Sequence, residues 1–168
     1  MVIDATRLLL FPALMAFAAA SDLFSMTISN KVSLALAGCF VILALAIGMS
    51  PRDMGMHAAA ALTVLVVAFV FFARGWIGGG DAKLAAAASL WFGFDQLLQY
   101  LVDAALLGGV LTLVMINFRL IPLPPAMQRW AWIARLHEKG AGVPYGIALA
   151  AAALLIYPDT IWMKSFGG

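Results

Sequence analysis

Two aspartates at the edges of apolar segments are the residues of this chain best suited to chemistry. Asp81 follows three glycines, residues 78–80, and opens an apolar run. Asp22 holds a matching position at the end of an earlier apolar segment. A charged side chain inside a membrane costs about 2.5–3.5 kcal/mol on insertion scales, so an acid at such a position indicates function. One isolated aspartate would be explained equally well as a helix start, which this residue favours. The second aspartate argues for a functional pair.

Two carboxyl groups held close together can share a proton, so that one acts as a base and the other as an acid. The base would take a proton from a water molecule that attacks a peptide carbonyl. The acid would protonate the carbonyl oxygen or the leaving nitrogen. The same pair could instead form a path for a proton or a cation. The residues alone therefore predict paired intramembrane acids and leave hydrolysis and transport open as alternatives.

The composition indicates an all-α, polytopic membrane protein. Of the 168 residues, 65% are hydrophobic and 11% are charged, against roughly 45–50% and 25% in soluble domains. We expect one membrane-embedded domain over residues 1–168, with the lipid bilayer as a partner. The basic residues are dispersed, which argues against nucleic-acid binding. The single cysteine, Cys39, excludes an internal disulfide and a cysteine-based zinc site.

The hydropathy pattern predicts about six transmembrane helices, and the predicted spans cover residues 6–20, 32–49, 57–73, 82–94, 96–118 and 143–163. The fourth segment, with 13 residues, would extend about 20 Å, whereas a bilayer core is about 30 Å thick. We therefore expect its start, and Asp81 with it, to lie in a recess. Residues 126–139 combine tryptophan with arginine and predict an amphipathic helix in the interface, between spans five and six.

Charge asymmetry predicts the orientation. With six spans, the first, third and fifth loops would share one side and hold seven of the ten basic residues: Lys31, Arg74, Lys83, Arg119, Arg129, Arg135 and Lys139. Because loops rich in Lys and Arg stay in the cytoplasm, this side is predicted to be cytoplasmic. Asp22 and Asp81 would then both lie on the cytoplasmic side, and both termini would face outward.

Three motifs, in order along nearly the whole chain, resemble those of one family. The sequence Gly-Gly-Gly-Asp at 78–81 resembles the Gly-x-Gly-Asp motif of intramembrane aspartyl proteases, and more narrowly that of the prepilin peptidases, or type IV leader peptidases. The sequence Thr-Ile-Ser-Asn at 27–30, after Asp22, is similar to their Thr/Arg–Ile–Pro–Asn element, with Ser29 in place of the usual proline. Pro-Tyr-Gly at 144–146 is similar to the Pro-Phe/Tyr-Gly element that opens their final helix.

This resemblance implies an aspartic endopeptidase that needs no cofactor and no metal. Asp22 and Asp81 would be the catalytic pair. The substrates would be prepilins and pseudopilins, whose short basic leader is removed at the cytoplasmic face of the bacterial inner membrane. By the same resemblance, the cleft would be shaped by Gly78, Gly79, Gly80, Lys83, Thr27, Asn30, Pro144 and Tyr145.

Long members of that family also carry an N-terminal cytoplasmic domain with paired cysteine motifs and methylate the new N-terminus. With one cysteine and no such domain, the chain resembles the short form found in tight-adherence (Flp) pilus systems, which implies peptidase activity alone. Two alternatives stay open. The chain could be a small proton- or cation-coupled transporter or channel subunit that uses Asp22, Asp81 and Asp103, or a non-catalytic assembly factor. Asp103, in the middle of a predicted span, could also replace Asp22 as the partner of Asp81. The pattern predicts no particular oligomeric state.

Overall fold

The computed structural model describes residues 2–164, and within them the chain is helical without strands, which confirms the predicted all-α class. The α-helices are α1 (Val2–Ser25), α2 (Asn30–Ala46), α3 (Pro51–Ala73), α4 (Gly79–Leu120), α5 (Pro125–Gln128), α6 (Ala131–His137), α7 (Gly146–Ile156) and α8 (Ile161–Lys164). The chain ends that were predicted to face outward, residue 1 and residues 165–168, lie outside the described residues.

Three stretches of the described helices are long and apolar enough to cross a membrane: Thr6–Ser25, Pro51–Ala73 and Gly79–Leu120. Two shorter apolar stretches, Asn30–Ala46 and Gly146–Asp159, lie between or after them. The predicted last span, residues 143–163, is not one continuous α-helix, because α7 passes into a 3₁₀ turn over Tyr157–Asp159 that contains Pro158. The count of six spans stays a prediction.

Helix α4 is divided at Gly93, whose backbone dihedrals (φ 58°, ψ −166°) are not helical. The break separates a first arm, residues 79–92, from a second arm, residues 94–120. A Cβ at position 93 would lie 3.0 Å from the His57 imidazole, so the ring leaves little room there for a side chain. His57 Nδ1 forms a hydrogen bond with the Leu90 carbonyl oxygen at 2.8 Å. At 1.5 Å per residue the first arm extends about 20 Å, in agreement with the short fourth segment predicted from the sequence.

An aromatic cluster fixes the mutual position of α1 and the first arm of α4. Phe11, Trp91 and Trp162 are fully buried, and the ring centroids lie 4.9 Å apart between Phe11 and Trp91 and 5.0 Å apart between Trp91 and Trp162. The indole N–H of Trp162 donates to the Trp91 carbonyl oxygen at 2.8 Å. The cluster lies about 15 Å along each helix from Asp22 and Asp81, so its ring contacts connect the two helices while their other ends form the site.

The predicted amphipathic helix over residues 126–139 is instead two short helices, α5 and α6, and the expectation of one helix there is wrong. Trp130, between them, has extended backbone dihedrals. This break lets α6 bury Leu136 and lets the Arg135 guanidinium donate to the Phe24 carbonyl oxygen at 2.9 Å. Arg119, at the end of α4, donates to the Leu136 carbonyl oxygen at 2.8 Å. The segment is therefore tied to the ends of α1 and α4, and its place in a membrane interface stays a prediction.

Candidate active site

Asp22 and Asp81 line the same cavity, although they come from the end of α1 and the start of α4. The cavity has a volume of about 230 Å³. Its lining residues are Asp22, Met26, Thr27, Ile28, Gly78, Gly79, Gly80 and Asp81. Asp22 is 5% exposed and Asp81 is partly exposed, and the two carboxyl groups are close enough to interact electrostatically. The helix packing thus brings together the two acids that the sequence singled out.

Asp22 is held by a hydrogen bond from a residue 124 positions later in the chain. Its Oδ2 accepts a hydrogen bond from the backbone N–H of Gly146, at the start of α7, at 2.7 Å. A Cβ at position 146 would lie 2.8 Å from this oxygen and 2.8 Å from Ile28 Cδ1. Real Cβ atoms essentially never approach other atoms closer than 3.0 Å. Only glycine therefore fits position 146 without moving the carboxyl group or its neighbour.

The turn after α1 is built by serine and threonine side chains. Met26 has a positive φ of 55°, which turns the chain sharply as the helix ends. Ser21 Oγ then donates to the Thr27 carbonyl oxygen at 3.0 Å, and Ser25 Oγ lies 2.8 Å from Thr27 Oγ1. These bonds fold Thr27 and Ile28 back toward the end of α1, which places both residues on the wall of the carboxyl cavity.

The three glycines before Asp81 each lie against a different neighbour. A Cβ at Gly78 would be 2.9 Å from Asp81 Oδ2, and one at Gly79 would be 3.2 Å from the Phe72 ring. A Cβ at Gly80 would be 3.1 Å from Ile28 Cβ. Gly80 therefore allows the start of α4 to approach the turn after α1 closely, and Gly79 allows it to approach α3. In the first turn of α4 the Asp81 carboxylate also meets the positive end of the helix dipole.

Lys83 and Asn30 connect the first turns of α4 and α2. Lys83 Nζ donates to Asn30 Oδ1 at 2.9 Å, and both side chains are exposed. Neither residue lines the cavity that holds the two aspartates. The pair lies two residues beyond Ile28 and Asp81, which line the cavity, and it ties the start of α2 to the start of α4.

Tyr145 and Asp81 lie on a second, larger cavity of about 380 Å³. Apart from these two residues and Thr63, its walls are apolar and come from α3, both arms of α4 and α7. The Tyr145 hydroxyl donates to the Ala104 carbonyl oxygen at 3.3 Å. Its ring packs on Gly108 so closely that a Cβ there would overlap the phenol. Pro144, the residue before it, is fully buried. Asp81 thus stands between a small polar cavity and a larger apolar one.

Residues 9–113 of the chain match the profile of the type IV leader peptidase family. The chain belongs to that family. The match includes both aspartates and the glycines before Asp81, and it confirms the resemblance drawn from the motifs. No curated protein and no solved structure matches the chain significantly. Membership makes the chain a peptidase, of the aspartic type in this family, with prepilin-type substrates. Together with the apolar helices it indicates an integral membrane protein.

The structure gives local contacts to two residues whose roles the sequence left open, Asp103 and Ser29. Asp103 does not line the cavity of the two aspartates, and its carboxyl group accepts hydrogen bonds from Gln99 at 2.9 and 3.0 Å. Asp22 is therefore the acid that faces Asp81. Ser29, where the family often has proline, is the N-cap of α2, and its Oγ accepts the Lys31 N–H at 3.3 Å.

The role of Gly146 was not recognised from the sequence. The residue stood inside the Pro-Tyr-Gly motif, but only Pro144 and Tyr145 were assigned to the cleft. A glycine that directly follows two motif residues was the available signal. Within residues 2–164, no group of three or more His, Cys, Asp or Glu side chains is placed to hold a metal ion.

Proposed function

We propose that this chain is an intramembrane aspartyl endopeptidase with Asp22 and Asp81 as its catalytic pair. It cleaves the short basic leader from type IV, Flp-like prepilins and pseudopilins at the cytoplasmic face of the bacterial inner membrane. The observation that carries the proposal is that the two carboxyl groups, from the end of α1 and the start of α4, line one cavity of about 230 Å³. The excess of basic residues in the loops on their predicted side supports the cytoplasmic face.

In the proposed mechanism one carboxylate takes a proton from a water molecule, and that water attacks the carbonyl carbon of the scissile peptide bond. The other carboxyl group donates its proton to the carbonyl oxygen and later supports protonation of the leaving nitrogen. The glycines at 78–80 leave the wall of the cavity without side chains, so that an extended substrate backbone can approach Asp81 closely. Lys83 and Asn30 hold the edge of this wall in place through their hydrogen bond.

The apolar cavity beside Asp81 suits the hydrophobic residues that follow the scissile bond. One turn of an α-helix, with a 5.4 Å pitch and a diameter of about 10 Å, occupies roughly 400 Å³. The cavity of about 380 Å³ therefore has room for about one turn of the substrate, and the remainder of the substrate helix would stay in the lipid. Such a substrate would enter laterally, between helices, while its basic leader stays on the aqueous side.

The proposal is limited to peptidase activity. The paired cysteine motifs that accompany methyl transfer in long family members need several cysteines, and this sequence has only Cys39. We therefore propose that this chain by itself cleaves the leader and does not methylate the new N-terminus. Incubation of cleaved pilin with the chain and S-adenosylmethionine, followed by mass measurement, tests this part: an unchanged mass is expected, and a gain of one methyl group would contradict it.

The test of the peptidase uses purified protein in liposomes with an Flp-type prepilin. The wild type should release the leader, and Asp22→Asn and Asp81→Asn should not. Asp95→Asn is the matched control, because Asp95 is an acid of α4 outside both cavities. Full cleavage by either Asp22→Asn or Asp81→Asn would overturn the proposal. Proton flux across the same liposomes, without cleavage by any form, would support the transport alternative.

A further inference from the structure

A polar pair lies on the outer side of the second arm of α4. The Gln99 side-chain amide donates to both carboxyl oxygens of Asp103, at 2.9 and 3.0 Å. Gln99 is exposed and Asp103 is partly exposed. Among the described residues, no side chain of another helix forms a hydrogen bond or an ion pair with either of them. The two residues thus satisfy each other and leave hydrogen-bonding capacity unused.

Asp103 lies deep in the predicted span. It follows the helix break at Gly93 by ten residues, which is about 15 Å along the helix axis. The hydrocarbon core of a bilayer is about 30 Å thick, so this carboxyl group is near mid-membrane. Charged residues at that depth normally face the interior of a bundle, a cavity or a partner, because lipid cannot solvate them. Asp103 lines neither of the two cavities at Asp81.

Apolar residues continue the same side of the helix. At 100° per residue, the side chains of residues 100–113 that share the direction of Gln99 and Asp103 are Val102, Leu106, Val110 and Leu113, and all four are exposed. We call these six residues the α4 stripe. The residues of the same arm that line the 380 Å³ cavity, among them Leu97, Leu101 and Ala104, point in the opposite direction. The stripe is therefore separate from the proposed substrate path.

We propose that the α4 stripe is the interface of a homodimer, in which Gln99 of each copy bonds Asp103 of the other. The partner is a second copy of this chain because Gln99 carries hydrogen-bond donors and Asp103 carries acceptors, so that the same patch can pair with itself. A two-fold axis brings the same patch of both copies together, so that a contact from Gln99 to Asp103 occurs twice. The amide has two N–H donors and a carbonyl acceptor, and a carboxylate has about four acceptor sites, more than one amide fills.

The packing of the stripe fits such an interface. In a parallel pair of helices, Gln99 and the partner's Asp103 are offset by four residues, or about 6 Å along the axis, which the long Gln side chain can span. Interhelical hydrogen bonds and van der Waals packing are the interactions that associate helices in lipid. Valine and leucine at the remaining stripe positions supply the packing. The dimer leaves the cavities at Asp81 open, so the inference does not depend on the proposed peptidase function.

Disulfide cross-linking in membranes locates the interface. In a Cys39→Ala background, single substitutions Leu106→Cys and Val110→Cys introduce a thiol in the stripe, and Val66→Cys introduces one on α3. Leu106, Val110 and Val66 are similarly exposed, at 65%, 59% and 57%. A disulfide needs Cα atoms within about 7 Å, so mild oxidation should give cross-linked dimers for the stripe variants only. Equal cross-linking of the Val66→Cys variant, or none at the stripe, would overturn the proposal.

The polar pair is tested by energy transfer between labelled copies in liposomes diluted with lipid. The double variant Gln99→Leu with Asp103→Leu should weaken dimerisation by about tenfold, while Asp53→Asn, at an exposed acid of α3, should leave it unchanged. Equal melting temperatures of the variants would show that folding is intact. Unchanged dimerisation of the double leucine variant would refute the role of the pair. Cross-links from the stripe to an added prepilin, with no dimer, would overturn the homodimer in favour of substrate docking.

Discussion

Replacement of Gly146 by alanine should impair cleavage by displacing the Asp22 carboxyl group. The new Cβ would lie 2.8 Å from Asp22 Oδ2 and from Ile28 Cδ1, and 3.0 Å from Asp22 Cβ. Ordinary van der Waals contact begins at about 3.4 Å, so the atoms must separate by about 0.6 Å. Because Asp22 is buried, this movement must come from its side chain or from the start of α7. Either change lengthens the 2.7 Å bond from the Gly146 N–H.

The expected size of the effect follows from this displacement. Insertion of a methyl group into a packed site costs about 1–3 kcal/mol of stability, and a misplacement near 1 Å can cost about 100-fold in rate. For a shift of about 0.6 Å we expect kcat for leader cleavage to fall by about 10- to 100-fold. If only the Asp22 side chain moves, KM should change little; if the start of α7 moves, KM should rise as well, because Tyr145 and Leu149 line the apolar cavity that would hold the substrate.

The assay is steady-state cleavage of a prepilin in liposomes, with the melting temperature measured in parallel. The matched control is Gly109→Ala, because nothing lies within 4 Å of a Cβ at Gly109. That substitution in a helix should be neutral or slightly stabilising. If Gly146→Ala cleaved at the rate of the wild type and melted at the same temperature, the reasoning from the Asp22 contact would be refuted.

Two further substitutions test the surroundings of the site. Gly108→Ala should displace the Tyr145 ring and break its hydrogen bond to the Ala104 carbonyl oxygen, so the melting temperature and the cleavage rate should both fall. Gly109→Ala should change neither. A normal melting temperature of the Gly108→Ala variant would contradict this. Lys83→Met should reduce cleavage by less than about tenfold, because an exposed hydrogen bond to Asn30 contributes about 1 kcal/mol. Loss of activity as complete as that of Asp81→Asn would instead place Lys83 in the chemistry.

Local patterns in the sequence predicted the parts of the fold that depend on local physics. The apolar segments predicted the helical class. The predicted spans 82–94 and 96–118 meet at residue 95, two residues after the break that the structure has at Gly93. Glycine is required at position 93 because its φ is positive and the His57 imidazole lies 3.0 Å from where a Cβ would be. Neither condition can be seen in the sequence. Residues 126–139 were assigned to one helix because periodicity does not report the tertiary bond from Arg135 to Phe24 that accompanies the split.

The residues of the candidate site that belong to sequence motifs could be predicted, but their arrangement could not. The two aspartates and the glycines at 78–80 could be named from the sequence, because acids beside apolar segments are rare and costly. Their common cavity depends on how α1, α4 and α7 pack, and no pattern in the chain reports that packing. The bond between Gly146 and Asp22 joins residues 124 positions apart. Asp103 could not be assigned for the same reason, since its partner Gln99 and its outward direction depend on which side of α4 is buried.

Single-turnover cleavage of a prepilin by the wild type, Asp22→Asn, Asp81→Asn and the double variant is the most direct test of the central claim. If the two carboxyl groups act as one catalytic unit, each single variant should lose about as much activity as the double variant, because residues that act together are strongly non-additive. All three variants should therefore fall to the same residual rate. Substantial cleavage by one single variant, or losses that multiply independently in the double variant, would contradict the claim that Asp22 and Asp81 form the catalytic pair.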